Sequence, residues 1–255
     1  MAEPIQKQGK ELCLITGADR GLGFALTHQA LLSGYRVLAL HRREVPGKSL
    51  QELQKRYSED LICSGGWDLS HICSIKEISP EVSNIITREL KYIFHVAGVS
   101  AKYFDNSKKS TAKIGHLNIH HFREMFEVNT FAPLFLSQTF FNFLITSKYK
   151  GHCWIVHISS RDGSFSVTKQ PGNYAYCSSK AALNMFTKYL ALELSEKKIG
   201  GVISLHPGWV NTDMGGSDAE LSADESSQKI LGLVKKLTLQ QNGLFLNIDA
   251  STHPF

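Results

Sequence analysis

Two residues in the segment NYAYCSSKAALN, Asn173 to Asn184, have the types and spacing to move a proton: Tyr176 and Lys180. Four residues apart, they would share one face of a helix. A free phenol, with a pKa of roughly 10, is a poor proton partner at neutral pH. A neighbouring ammonium stabilises the phenolate and so brings that pKa down. Tyr174 has no such neighbour, because Ser178 stands four residues after it. It is read as a pocket or packing residue. A Tyr-x-x-x-Lys spacing is common by chance, so the pair needs a chemical setting.

A setting is offered by TGADRGLG near the N-terminus, with Gly17, Gly21 and Gly23 following the strand-like run ELCLIT and opening a helix-like stretch. Such a turn lets backbone N–H groups and a helix N-terminus approach a pyrophosphate. Asp19, Arg20 and Leu22 belong to the same loop. Dinucleotide sites that select NAD place a carboxylate at the end of the second strand. Here that end carries His41, Arg42 and Arg43. Arg42 can offer a forked pair of donors to a 2′-phosphate, and Arg20 points the same way, so NADP(H) is favoured over NAD(H). The missing carboxylate also speaks against a methyltransferase. Asp68, followed by Leu69 in WDLS, is either an acceptor for the adenine amino group or a helix N-cap.

The surrounding elements have to bring these residues together. Strands are expected at ELCLIT, YRVLAL, LICSGGW, KYIFHVA, HCWIVHIS, GGVISLH and GLFLNI. Helices are expected near residues 49–57, 74–90 (broken by Pro80), 118–146, 174–196 and 224–237, with Gly34 closing the first helix. Strands apolar almost throughout, separated by helices, mean a parallel sheet covered on both faces. The fold class is α/β: a single doubly wound Rossmann domain over residues 1–255, with a central, mostly parallel seven-stranded sheet and helices on both faces. Residues 1–9 read as a flexible N-terminus.

In this order and spacing the motifs resemble the short-chain dehydrogenase/reductase family across the whole chain. TGADRGLG is similar to its glycine loop, and HVAG stands where the family's NNAG usually stands. VNT at Asn129, HISS at Ser160, YCSSK at Tyr176 and HPGWVNT at Pro207 follow in turn. SSRDGS, YAYCSSKAALNM and LHPGWVNTDMGG look most like the C-factor and sniffer-type carbonyl reductase branch. The resemblance implies that Tyr176 protonates a carbonyl oxygen as hydride arrives from a nicotinamide. Lys180 would tune it and reach the ribose, Ser160 (or Ser159) would hold the carbonyl, and Asn129 would hold a water that resupplies the proton. Ala97, Gly98, Pro207, Gly208, Val210 and Thr212 would join Asp68, Leu69, Tyr176 and Lys180 around the nucleotide. The VSAKYF loop, the RDGSFSV loop and the MGGSDAELSADES segment after Thr212 are expected to line the substrate pocket, where Phe165, Tyr174, Trp209 and Met214 suggest an apolar or aromatic ligand. Two departures stand out: His95-Val96 replaces two asparagines, and Ala250 stands where a glycine is common.

Other classes fit less well. The charge of +5 forms no long basic run, which argues against nucleic acid. The polar N-terminus and the broken apolar stretch FAPLFLSQTFFNFLI argue against a membrane anchor, so a cytoplasmic place is expected. Five scattered cysteines and eleven histidines form no disulfide frame or metal signature. The partner is then a small carbonyl or alcohol, with a homodimer face on the helices following Asn129 and Tyr176. A second reading is a nucleotide-binding regulatory protein with little turnover.

Overall fold

Apolar residues at every position of a strand have to be covered on both faces, and β1 (Leu12–Thr16) is buried at all five. The computed structural model describes residues 10–74, 80–86, 89–104, 113–167 and 172–255. Among these, seven parallel strands form one sheet in the order β3-β2-β1-β4-β5-β6-β7. The others are β2 (Arg36–Leu40), β3 (Leu61–Ser64), β4 (Leu90–His95), β5 (Cys153–Ile158), β6 (Gly200–His206) and β7 (Phe245–Asn247). All seven expected strands are present, and this is a Rossmann-type α/β fold. The order reverses between β1 and β4, which opens a crevice at their carboxyl ends.

Alternation along each strand separates two cores. Cys13, Ile15, Phe94 and Val156 face α1 (Gly21–Leu32), α2 (Lys48–Arg56) and α8 (Ala223–Val234). Leu14, Ile93 and Ile155 face α3 (Pro80–Ile86), α6 (Ala132–Thr146) and α7 (Tyr174–Glu196). Gly34 sits just beyond α1 at φ +84, as a helix-ending glycine should. Two short helices, α4 (Ala101–Phe104) and α5 (Ile119–Phe126), precede α6.

Of the helix expected over 74–90, residues 75–79 and 87–88 lie outside the described residues, and α3 is described over Pro80–Ile86. Two local expectations are amended. The helix expected over 118–146 contains a π-helical stretch at Glu127–Phe131. Its cause is local: Pro133 has no N–H to give the carbonyl four residues back, which is that of Asn129. Residues Ile119–Thr146 are long and apolar enough to cross a membrane by length and composition, yet half of that window is buried. Ala132, Leu136, Phe140 and Leu144 form its inward stripe against the sheet.

The family departures have structural counterparts. His95 and His157, paired in register on β4 and β5, are buried with ring centroids 5.3 Å apart. His95 Nε2 meets Ser137 Oγ at 3.0 Å on α6, and His157 Nδ1 meets Thr187 Oγ1 at 2.8 Å on α7. Burial pushes His95 down to about 3 and His157 well below the usual imidazole range. Ala250 holds φ +70, a left-handed conformation that costs a non-glycine residue roughly 1 kcal/mol.

Ala250→Gly should therefore raise stability by about 1 kcal/mol in urea unfolding, and no gain would refute the strain. The histidine pair makes a pH prediction. The unfolded imidazoles bind protons near pH ~6.5 and the folded ones do not, so stability is complete above that value. It falls towards pH 3, by about 1.4 kcal/mol per pH unit for each histidine. His95→Asn should flatten the urea midpoint between pH 7 and 5; an unchanged slope would exclude His95 as a source.

Candidate active site

The crevice is a cleft of about 640 Å³ built by the loops at the carboxyl ends of β1, β2, β4, β5 and β6. That size suits a sizeable organic ligand. Its floor is made close by glycines. A Cβ on Gly23 would lie 2.2 Å from the Gly17 carbonyl oxygen, and one on Gly17 would lie 2.9 Å from Ala97 Cα. Gly17 also holds φ +66. The turn can therefore lie directly under α1, whose first N–H groups have no intrahelical partner.

The second wall comes from the end of β2. His41 is buried, lines the cleft, and leaves both ring nitrogens without a hydrogen-bond partner among the described residues. A buried polar group without a partner is costly, which points to a ligand that supplies one. Arg42 Nη1 donates to Tyr103 Oη at 2.5 Å. Asp68 accepts from the amide and hydroxyl of Ser70 at 3.1 and 2.7 Å, so the capping bonds considered for it are present. Burial disfavours its charge, but those two bonds, then Arg42 and His71, hold the carboxyl below its usual range. Cradle, unpartnered imidazole and guanidinium together fit a phosphate-bearing dinucleotide.

At the far end lie Ser160, Tyr176 and Lys180. Ser160 caps the turn after β5, its Oγ accepting from Asp162 N at 3.1 Å. Its side chain also hydrogen-bonds Tyr176. Ser159 points elsewhere, donating to Asn184 Oδ1 at 2.7 Å inside the protein. Lys180 is buried, donates to the Ile158 carbonyl at 2.8 Å, and holds Nζ 5.9 Å from the Tyr176 ring centroid. Burial pushes Lys180 down to about 8.

The electrostatics of Tyr176 correct one expectation. Lys180 was expected to depress the phenol, yet Tyr176 is pushed up to about 12. Desolvation is the largest cause; Ser160 opposes it, and Asp162 and Cys177 add to it. A desolvated ammonium already engaged by a carbonyl does not offset that burial. The phenol therefore keeps its proton through neutral pH, which suits a donor.

Every residue expected around the nucleotide lines this cleft: Gly17, Asp19, Arg20, Gly21, Leu22, Gly23, His41, Arg42, Asp68, Leu69, Ala97, Gly98, Tyr176, Lys180, Pro207, Gly208, Val210 and Thr212. Beyond the internal bonds of Arg42, Asp68 and Lys180, two residues of the glycine loop are also engaged. Asp19 accepts from Gly47 N at 2.5 Å, and Arg20 pairs with Asp213 at 3.0 Å. Asn129 does not line the cleft. It is fully buried, accepts from Val99 N at 2.8 Å, and donates to Val99 O and Ser179 Oγ. Of the residues expected at a substrate, Trp209 and Met214 line the cleft, but Phe165 is 83% exposed and lies outside the lining. Tyr174 lies outside it too, in a minor neighbouring pocket. Tyr103, Arg161 and Asp162 also line the cleft and were not singled out. All three fall in the VSAKYF and RDGSFSV loops that were expected to line the pocket, though none was named individually.

The family model for short chain dehydrogenases matches residues 11–222. C-signal of Myxococcus xanthus is 30% identical over 173 residues, 68% of this chain and 97% of that protein. The carbonyl reductase Sniffer of D. melanogaster superposes with a TM-score of 0.85 at 28% identity, covering 96% of this chain and 99% of the other. An NADPH-bound carbonyl reductase from chicken fatty liver gives 0.83 at 28% identity, with the same coverage.

Gly17→Ala tests the cradle. The left-handed φ and the contact with Ala97 should cost about 1–3 kcal/mol of stability. NADPH titrated by fluorescence should bind at least about tenfold more weakly to the folded variant. Unchanged binding would place the nucleotide elsewhere.

Proposed function

Because the chain belongs to the short-chain dehydrogenase family and is an oxidoreductase, we propose that it is an NADP(H)-dependent carbonyl reductase with Tyr176 as proton donor. One observation carries this: a protonated phenol joined to Ser160, with a buried ammonium beneath it, opens into a cleft with a glycine cradle at its other end. The glycine loop, His41, Arg42, Asp68, Leu69, Ala97, Gly98 and the Pro207–Thr212 segment would hold the nucleotide. When bound, its nicotinamide supplies or accepts the hydride.

The protein's own part is to handle the proton and the oxygen. The Ser160 hydroxyl accepts from Asp162 N and is hydrogen-bonded to Tyr176; its single proton would turn to a carbonyl oxygen when one enters beside the phenol. Tyr176 gives its proton to the same oxygen, and Lys180 stabilises the phenolate left behind. Asn129 acts through position: by holding Val99 at both amide and carbonyl it sets the segment that includes Gly98. A Cβ on Gly98 would meet Asn129 Oδ1 at 3.3 Å and Lys180 Nζ at 3.7 Å, so both flank that glycine. Trp209 and Met214 would offer apolar surface to a carbonyl or alcohol substrate.

The same proposal covers one domain, a cytoplasmic place and a homodimer through α6 and α7. Met185, Tyr189 and Leu192 form an exposed stripe on α7, and Phe135 is exposed on α6.

NADPH consumption over ketones, dicarbonyls and quinones tests the reading, with NADH as control. Tyr176→Phe should lower kcat by about 10²–10⁴ while leaving NADPH affinity within a few-fold. Raised pH should not reach the phenol first. Lys180 loses its charge as pH rises through about 8, so kcat should fall above that value. Lys180→Met should be slow and lack that fall. NADPH bound but never consumed would instead favour a regulatory protein.

A further inference from the structure

Tyr103 stands across the cleft from Arg42, on α4 in the segment that leaves β4, and the two join the walls of the cleft. Resting on the NADP(H) reading above, we propose that Tyr103 is a specificity-determining residue: it fixes Arg42 as the receptor for the adenosine 2′-phosphate.

Three observations carry this. The first is the contact itself. Arg42 donates to the phenol oxygen at 2.5 Å, and its guanidinium carbon lies 5.8 Å from the ring centroid. A guanidinium has five N–H donors in a rigid fork, so one bond to Tyr103 sets its plane and leaves others for an anion. The second is that Tyr103 is anchored. Its ring meets Phe104 edge-on at 5.0 Å, and Phe104 stacks on His121 of α5 at 4.4 Å and 14°. Tyr103 is thus tied through Phe104 to the helix that carries Glu124, another residue of the cleft lining. The third is the partner wall, where the buried imidazole of His41, next to Arg42 in the chain, has no hydrogen-bond partner for either nitrogen among the described residues.

The charges around Arg42 make positioning matter. Asp68 and Glu124 both act on the guanidinium, and the Tyr103 hydrogen bond does so most strongly. An arginine left without that bond would have carboxylates as competing partners, whereas the neutral phenol holds it without neutralising it. A long side chain immobilised beforehand loses less freedom when its ligand arrives. The effect should appear only with ligands that carry the 2′-phosphate.

The test uses the full chain and two probes, 2′,5′-ADP and 5′-AMP, with binding measured by calorimetry. Tyr103→Phe should weaken 2′,5′-ADP by about three- to tenfold and leave 5′-AMP within twofold. Arg42→Ala should cost more, and adding Tyr103→Phe to it should cost nothing further, because the tyrosine acts through the arginine. Equal losses for both probes would overturn the proposal and make Tyr103 a packing wall for the adenosine. Tighter binding in Tyr103→Phe would overturn it too, marking the bridge as an obstruction. If wild type binds both probes equally, the NADP(H) preference itself fails; a mutant effect confined to 2′,5′-ADP would separate that failure from this one.

Discussion

The cleft depends on one stitch. The backbone ladder between β1 and β4 ends at Ile15 and Phe94, and beyond it the Thr16 hydroxyl accepts from Val96 N at 3.0 Å and Ala97 N at 3.2 Å. Without it, those two amides would lack the bonds that place them, at about 1–3 kcal/mol each if buried unpaired. The stitch holds the exit of β4 against the glycine turn, so closely that only glycine fits at position 17. Two residues further on, Asn129 takes over by bonding Val99 at both amide and carbonyl. The segment from Val96 to Val99 is thus fixed from both sides of the crevice. The π-helical stretch that carries Asn129 follows from the proline beyond it, so an irregular backbone serves the site directly.

A polar seam runs close to Lys180, between the sheet and α6 and α7. The Ser137 hydroxyl gives its proton to the Pro133 carbonyl, so the proton between it and His95 must belong to Nε2. Thr187 is spent likewise on the Leu183 carbonyl, so His157 donates from Nδ1. Both rings are then neutral single donors, in line with the downward shift of their pKa values. Neutrality matters because Lys180 lies close enough to act on His157. A charged imidazole below it would push the lysine further towards the amine. The two histidines brace the sheet and leave Lys180 the positive charge of this seam.

Much of this was legible in the chain. Strands apolar on both faces announce a covered parallel sheet, and Gly34 marks the end of α1 by needing a left-handed φ. The glycine turn and the tyrosine–lysine pair were legible because their chemistry depends on neighbours a few residues away. What was not legible depends on partners distant in sequence. Tyr103 lies in a loop legible as pocket lining, but it meets Arg42 across 61 residues and no local pattern marks that pairing. Phe165 has the composition of a pocket residue, but the turn after β5 carries it outward into solvent. The Tyr176 pKa was misjudged for a similar reason. Spacing along a helix reports which groups adjoin, but the outcome is a contest between a charge and desolvation, and desolvation is set by tertiary packing.

On the proposed reading, that contest also sets the state in which the tyrosine waits. Oxidising an alcohol needs a base, and a phenol held up to about 12 is seldom ionised at neutral pH. Reducing a carbonyl needs an acid, and the same phenol is then almost wholly in its working form. Ser160 works beside it, accepting from the Asp162 amide and bonded to the phenol until a carbonyl oxygen enters. Two O–H donors converging on one oxygen stabilise the negative charge it carries in the transition state, which reduction and oxidation share. Lys180 makes the step repeatable, since its ammonium stabilises the phenolate until a proton returns. Desolvation thus favours the acid form of the tyrosine before reaction, and the buried cation limits the cost of the base form after it.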